Sequence, residues 1–113
     1  MLSKERKEKI VKTLQQAIQI KSYSGEEKDI VEYLKKLLEE IGYDAVHIDH
    51  YGNIIACMKG KRKGLKVLMD GHMDTVPVQE EKWKENAFGG EIKDGKIYGR
   101  GTSDMKGALI SMA

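Results

Sequence analysis

The sequence predicts an α/β fold with a mixed sheet flanked by helices, and three observations carry that expectation. Two segments with apolar residues at helical spacing lead the chain, and short apolar or alternating segments bounded by turn residues follow. A last apolar segment then runs through a Gly-rich turn into a final apolar helix. At 113 residues, the chain has room for one core, which would bury roughly two thirds of the unfolded surface.

In the first segment, Ser3 to Ile20, the apolar residues Ile10, Val11, Leu14, Ala17 and Ile18 recur at helical spacing behind a run of charges, giving an amphipathic helix. A second helix is expected to start at Ser24, where S-G-E-E places Glu27 three residues on as a capping box. Its core stripe is Ile30, Val31, Leu34, Leu37, Leu38 and Ile41, and Gly42 supplies the stop.

Beyond Gly42 the period falls to two. Tyr43, Ala45 and His47 alternate with Asp44, Val46 and Ile48, and a turn at "DHYGN" leads into the apolar strand Ile54 to Met58. The basic turn "KGKRKG", Lys59 to Gly64, reads as a solvated hairpin loop, and Leu65 to Met69 reads as a short buried strand. Gln79 to Gly90 is a polar loop carrying Trp83 and Phe88. "EIKDGKIYG" is a hairpin signal, because Asp94-Gly95 suits a type I′ turn. Met105 to Ala113 read as the first turns of an apolar helix with Ala108, Leu109 and Met112 inward. No stop signal closes that helix, so the chain is expected to end within an element.

The balance of 20 Lys and Arg against 18 Asp and Glu, a net charge of +2, gives no reason to expect a nucleic-acid or membrane partner. Cys57 is alone, so no intrachain disulfide can form, which points to a reducing compartment and a cytoplasmic location. In an apolar strand it is expected to be buried. The N-terminus lacks the apolar region of a signal peptide, and no segment approaches the ~20 apolar residues of a membrane span. There is no internal repeat, low-complexity tract or interdomain linker.

The chemistry concentrates in "LMDGHMDTVPV", Leu68 to Val78. Residues two apart in an extended segment point to the same side, so His72 and Asp74 can present an imidazole and a carboxylate together, and Asp70 shares their parity. The segment follows the carboxyl end of an expected strand, where open α/β sheets place their ligands. Imidazole plus carboxylate suits a divalent ion, zinc being usual with nitrogen ligands. By itself H-x-D is weak and reads better as a polar loop. A second stretch, "YGRGTSDMKG", places Asp104 beside a helix start behind Gly99 and Gly101, where Ser103 and Asp104 also suit an ordinary N-cap. It does not fit a phosphate-binding loop, since Lys106 precedes Gly107.

Together, "GHMDTVPV", Trp83 and "FGGEIKDGKIYGRGTSDMKG" resemble the co-catalytic metallohydrolases typified by acetylornithine deacetylase, succinyl-diaminopimelate desuccinylase, aminoacylase and glutamate carboxypeptidase. The strand entry "YGNIIA", Tyr51 to Ala56, and the two leading helices extend the resemblance over nearly the whole chain, and the wording is similar to that of the YgeY-type, selenium-metabolism-linked hydrolases. The resemblance implies that residues 1–113 are the N-terminal portion of a zinc-peptidase-like catalytic domain. It further implies that His72 binds one metal ion, that Asp104 bridges two, and that Asp74 is a catalytic carboxylate supporting His72 without touching metal. Asp70 receives no role. Two divalent ions, zinc, cobalt or manganese, would activate a shared water for attack on an amide or peptide bond of a small N-acyl amino acid or peptide. A non-proline cis peptide at Asp104-Met105 is implied as well.

The family's Glu-Glu pair and its later acidic and histidine ligands follow the bridging aspartate. Here the pairs Glu26-Glu27, Glu39-Glu40 and Glu80-Glu81 all precede it. His47 and His50 are expected in packing or exposed positions, and Ala87 stands where the family often has proline. The expectation is therefore a truncated, inactive piece of a homodimeric hydrolase that lacks its dimerisation domain. Its competitor is a complete non-catalytic binding module that retains half a metal site.

Overall fold

The computed structural model describes residues 1–113. Helix α1 spans Lys4–Gln19, opened by the Ser3 hydroxyl, which accepts the Arg6 N–H at 3.2 Å. Helix α2 spans Lys28–Ile41 and ends at Gly42, whose left-handed backbone (φ 100°) turns its N–H back onto the carbonyls of Leu38 and Glu39. Strands β1 (Ala45–Ile48) and β2 (Ile54–Cys57) pair antiparallel across a turn in which Asp49 accepts the N–H groups of Tyr51 and Asn53. A single 3-10 turn covers Glu80–Lys82. Strands β3 (Glu91–Lys93) and β4 (Lys96–Tyr98) form a second antiparallel hairpin, and its two turn residues, Asp94 at φ 52° and Gly95 at φ 72°, are both left-handed as a type I′ turn requires. Helix α3 spans Lys106–Met112.

The α/β character holds, but the strands do not assemble into one mixed sheet. They stay in two separate two-stranded ribbons. Leu65 to Met69, expected as a buried strand, has no strand partner, and Leu65, Val67 and Leu68 are almost fully exposed. A buried strand needs neighbours on its edges and faces, and each hairpin already pairs with itself. For the same reason Cys57 is exposed rather than buried: β2 has a partner on one edge and little over its outer face.

The core lies between the helices. Ala17 from α1, Ile30 and Leu34 from α2 and Ile110 from α3 are buried together, with Leu14, Leu37, Leu109 and Met73 packed around them. The inward residue of α3 is thus Ile110, whereas Ala108 is exposed and Leu109 and Met112 are half-buried. The difference arises because Lys106, not an apolar residue, begins the buried face of this helix. Only 2% of Lys106 is exposed, and its Nζ donates to the carbonyls of Ala17 (2.9 Å) and Ile20 (2.7 Å) at the end of α1. Those carbonyls lie at the end of the helix, where the intrahelical ladder runs out and only the Ile20 N–H reaches Ala17, at 3.3 Å. The side chain therefore closes α1 and ties it to the start of α3.

Burial pushes the Lys106 ammonium down to about 8 from 10.5. Between those values the unfolded chain binds more protons than the folded one, so stability should rise with pH across that window. Urea unfolding from pH 7 to 10.5 should show this rise in the wild-type chain, and Lys106→Met should lack it. Parallel profiles for the two chains would rule out the buried ammonium as its source.

Candidate metal centre

Two close backbone approaches bring the histidine loop and the Gly-rich loop together. Gly71 lies where an added Cβ would sit 2.8 Å from Met105 Cε, and the next residue, His72, donates its N–H to Met105 Sδ at 3.3 Å. Gly101, at φ 88°, lies over Thr75, where an added Cβ would meet Thr75 Cγ2 at 2.8 Å. Glycine at both positions lets the loops touch. The peptide Asp104-Met105 between them is cis, as the resemblance implies.

The result is a linear array of side chains. His72 Nε2 lies 2.9 Å from Asp104 Oδ1, and His72 Nδ1 lies 3.1 Å from Asp74 Oδ1 and also 3.1 Å from the Asp74 carbonyl. The other Asp74 oxygen, Oδ2, accepts the Ser24 hydroxyl at 2.5 Å. His72, Asp74 and Asp104 are therefore brought together from positions 72, 74 and 104, and Ser24 joins them from the α1–α2 connection. His72 and Asp74 also line an open cleft of about 940 Å³ with Glu27, Val31, His50 and Asp70.

Charge follows this geometry. The Asp104 carboxylate at Nε2 holds the His72 imidazole above the usual histidine range, with Asp74 adding to the effect against partial desolvation. The Ser24 hydroxyl, and after it His72, hold Asp74 below the usual carboxylate range. In the absence of metal, a protonated imidazole can donate to both aspartates at once.

The array accommodates an ion in donor type but not in number. A tetrahedral zinc ion with bonds of roughly 2.0–2.1 Å holds an N and an O ligand about 3.3 Å apart. The 2.9 Å separation of His72 Nε2 and Asp104 Oδ1 is reached from that value by a small side-chain movement. No group of three or more His, Cys, Asp or Glu side chains is arranged to hold an ion. Asp70 is exposed and makes no contact with the array, His50 stacks on Tyr51, and His47 is exposed on β1. Glu26 and Glu27 fall in the connection ahead of α2 rather than on it.

Ser24 is the site residue that sequence reasoning missed. The S-G-E-E spacing predicts a capping box, yet α2 starts at Lys28 with no side-chain cap, and Glu27 instead accepts the Gly25 N–H at 2.7 Å. No local pattern points to it, because Ser24 lies in the turn closed by the Glu26 N–H on the Tyr23 carbonyl and its partner is distant in sequence.

Residues 68–113 match the model of peptidase family M20/M25/M40. The matched residues include His72, Asp74 and Asp104. The chain is 35% identical over 99 residues to succinyl-diaminopimelate desuccinylase 2 of Ruegeria sp. (strain TM1040), covering 85% of this chain and 25% of that protein. It is 39% identical over 101 residues to the uncharacterized protein YgeY of Escherichia coli K12, covering 88% and 24%. It is 38% identical over 111 residues to a putative LysW-lysine/LysW-ornithine hydrolase of Pyrococcus furiosus, covering 98% and 30%. The chain thus spans no more than three tenths of the length of these curated relatives. No helix is long and apolar enough to cross a membrane.

Because its folded-state pKa is raised, any stability that the paired His72 adds is present below the unfolded value of 6.5 and is lost as pH rises through the folded value. An NMR titration of the metal-free chain should place His72 above a free histidine, with Asp104→Asn lowering it more than Asp74→Asn. A larger effect of Asp74→Asn would reverse the assigned order of the two contacts.

Proposed function

We propose that this chain carries part of the catalytic centre of a metal-dependent hydrolase that cleaves amide or peptide bonds of small N-acyl amino acids or peptides. The observation that carries the reading is the placement of His72 between Asp74 and Asp104, two carboxylates delivered by different loops. The desuccinylase and the hydrolase among the relatives act, by their names, on acylated or conjugated amino acids, which agrees with it.

In this reading His72 Nε2 and Asp104 are the ligands, with Asp104 shared between two ions. Such ions, zinc being the usual partner of imidazole nitrogen and cobalt or manganese the alternatives, supply Lewis-acid activation of water and of the amide carbonyl. Asp74 accepts the Nδ1–H of His72, which orients the ring and raises the basicity of Nε2. Residues 1–113 then form the leading portion of the catalytic domain of a cytoplasmic, homodimeric enzyme. Catalytic zinc ordinarily takes three protein ligands and a water, so these residues by themselves are expected to bind metal weakly and to turn over no substrate.

Equilibrium titration with zinc alone tests the ligand assignment. The chain should take up a single ion weakly, and both His72→Ala and Asp104→Asn should abolish uptake. Undiminished binding by His72→Ala would remove the histidine from the centre, and tight binding of two ions would contradict a partial site.

A further inference from the structure

The connection between α1 and α2 does more than join two helices. Residues 22–24 run parallel to Met73–Thr75: the Thr75 N–H donates to the Ser22 carbonyl at 2.7 Å, the Ser22 hydroxyl donates to the Met73 carbonyl at 2.8 Å, and Tyr23 bridges to Thr75. Ser22 is fully buried, so the register of the two segments is fixed. Directly after that bridge the chain turns, with the Glu26 N–H donating to the Tyr23 carbonyl at 2.7 Å, and Ser24 in this turn faces Asp74 with Oγ 2.5 Å from Oδ2. The opposite oxygen of the same carboxylate meets His72 Nδ1 at 3.1 Å. A carboxylate turns readily about its last torsion, and one whose outer oxygen is held by a hydroxyl cannot turn without giving up that bond. Ser24 has no competing task, since it does not cap α2.

We propose that Ser24 is a positioning residue of the candidate centre: by holding Asp74 it fixes His72 as the Nδ1–H tautomer and leaves the Nε2 lone pair for a ligand. The inference rests on the reading of His72 as a metal ligand given above. Without Ser24, Asp74 can swing away, and the neutral ring is free to adopt the Nε2–H form that donates to Asp104.

The test is the tautomer of His72, read from long-range ¹H–¹⁵N spectra of the metal-free chain at a pH where the ring is neutral. Asp104 competes for the ring proton at Nε2, 2.9 Å away, so the wild-type ratio is the reference against which the Ser24 variants are read. Ser24→Ala should move the tautomer ratio about tenfold toward Nε2–H, the scale expected for losing one hydrogen bond to a charged group, and Ser24→Thr, which keeps the hydroxyl, should restore it. Should Ser24→Ala fail to fold, Ser24→Cys offers similar size with only a weak donor and should show the same shift. An unchanged ratio in the alanine or cysteine variant, or no rescue by threonine, overturns the proposal. Titration with zinc alone separates the two readings: Ser24→Ala should weaken uptake about tenfold, as supporting residues of metal ligands do, while His72→Ala abolishes it. If His72→Ala binds zinc unchanged, the metal reading fails, and the tautomer ratio still judges what Ser24 does.

Discussion

The hydrogen bond from the Thr75 N–H to the Ser22 carbonyl, 2.7 Å long, is the contact on which the arrangement of this chain depends. It docks an extended segment from the helical half against the segment carrying the histidine. Every side chain of the array takes its place from that pairing. Ser22 holds Met73 through its hydroxyl, Ser24 reaches Asp74, and Thr75 lies beneath Gly101, so the Gly-rich loop is positioned against the same short stretch. Just upstream of this contact, no such partner exists: Leu65 to Met69 lead into the histidine loop without a strand to pair with.

The second constraint lies on the opposite side of the Gly-rich loop. Lys106 donates to two carbonyls at the end of α1, and it follows Asp104 by two residues. A buried lysine is unfavourable unless its donors are satisfied, and here two of them meet carbonyls at a helix end, where the intrahelical ladder runs out. Asp104 is therefore delivered from an anchored backbone although its own side chain is largely exposed. Such anchors matter more in a chain with 14 of its 113 residues buried, because so small an apolar core cannot by itself hold two loops in register.

Much of this was legible in the sequence because it is local. Helical spacing placed α1 and α2, Gly42 ended α2 with its left-handed backbone, and Asp94-Gly95 set the second hairpin. The pairing of His72 with Asp74 follows from their separation by two residues, and the family resemblance supplied Asp104. What failed was what depends on distant partners. The apolar run Leu65 to Met69 has strand composition, but burial is a property of neighbours, and the chain provides none. Ser24 and Glu27 have the spacing of a capping box, yet an aspartate fifty positions on competes for the hydroxyl, and no local pattern announces that competition. The buried face of α3 was misread because periodicity counts apolar residues and so passes over a buried lysine.

Hydrogen exchange at the Thr75 amide tests the central claim most directly, because that N–H is the donor of the docking contact and belongs to no helix or hairpin. In the folded chain it should exchange as slowly as the amides of Ile30 and Leu34 in the core helix α2, and Ser22→Gly, which removes the hydroxyl anchor on Met73, should speed it selectively. Exchange of Thr75 at the rate of the exposed Leu65 to Met69 segment would show that the two segments are not docked, and the array of Ser24, Asp74, His72 and Asp104 would lose its support.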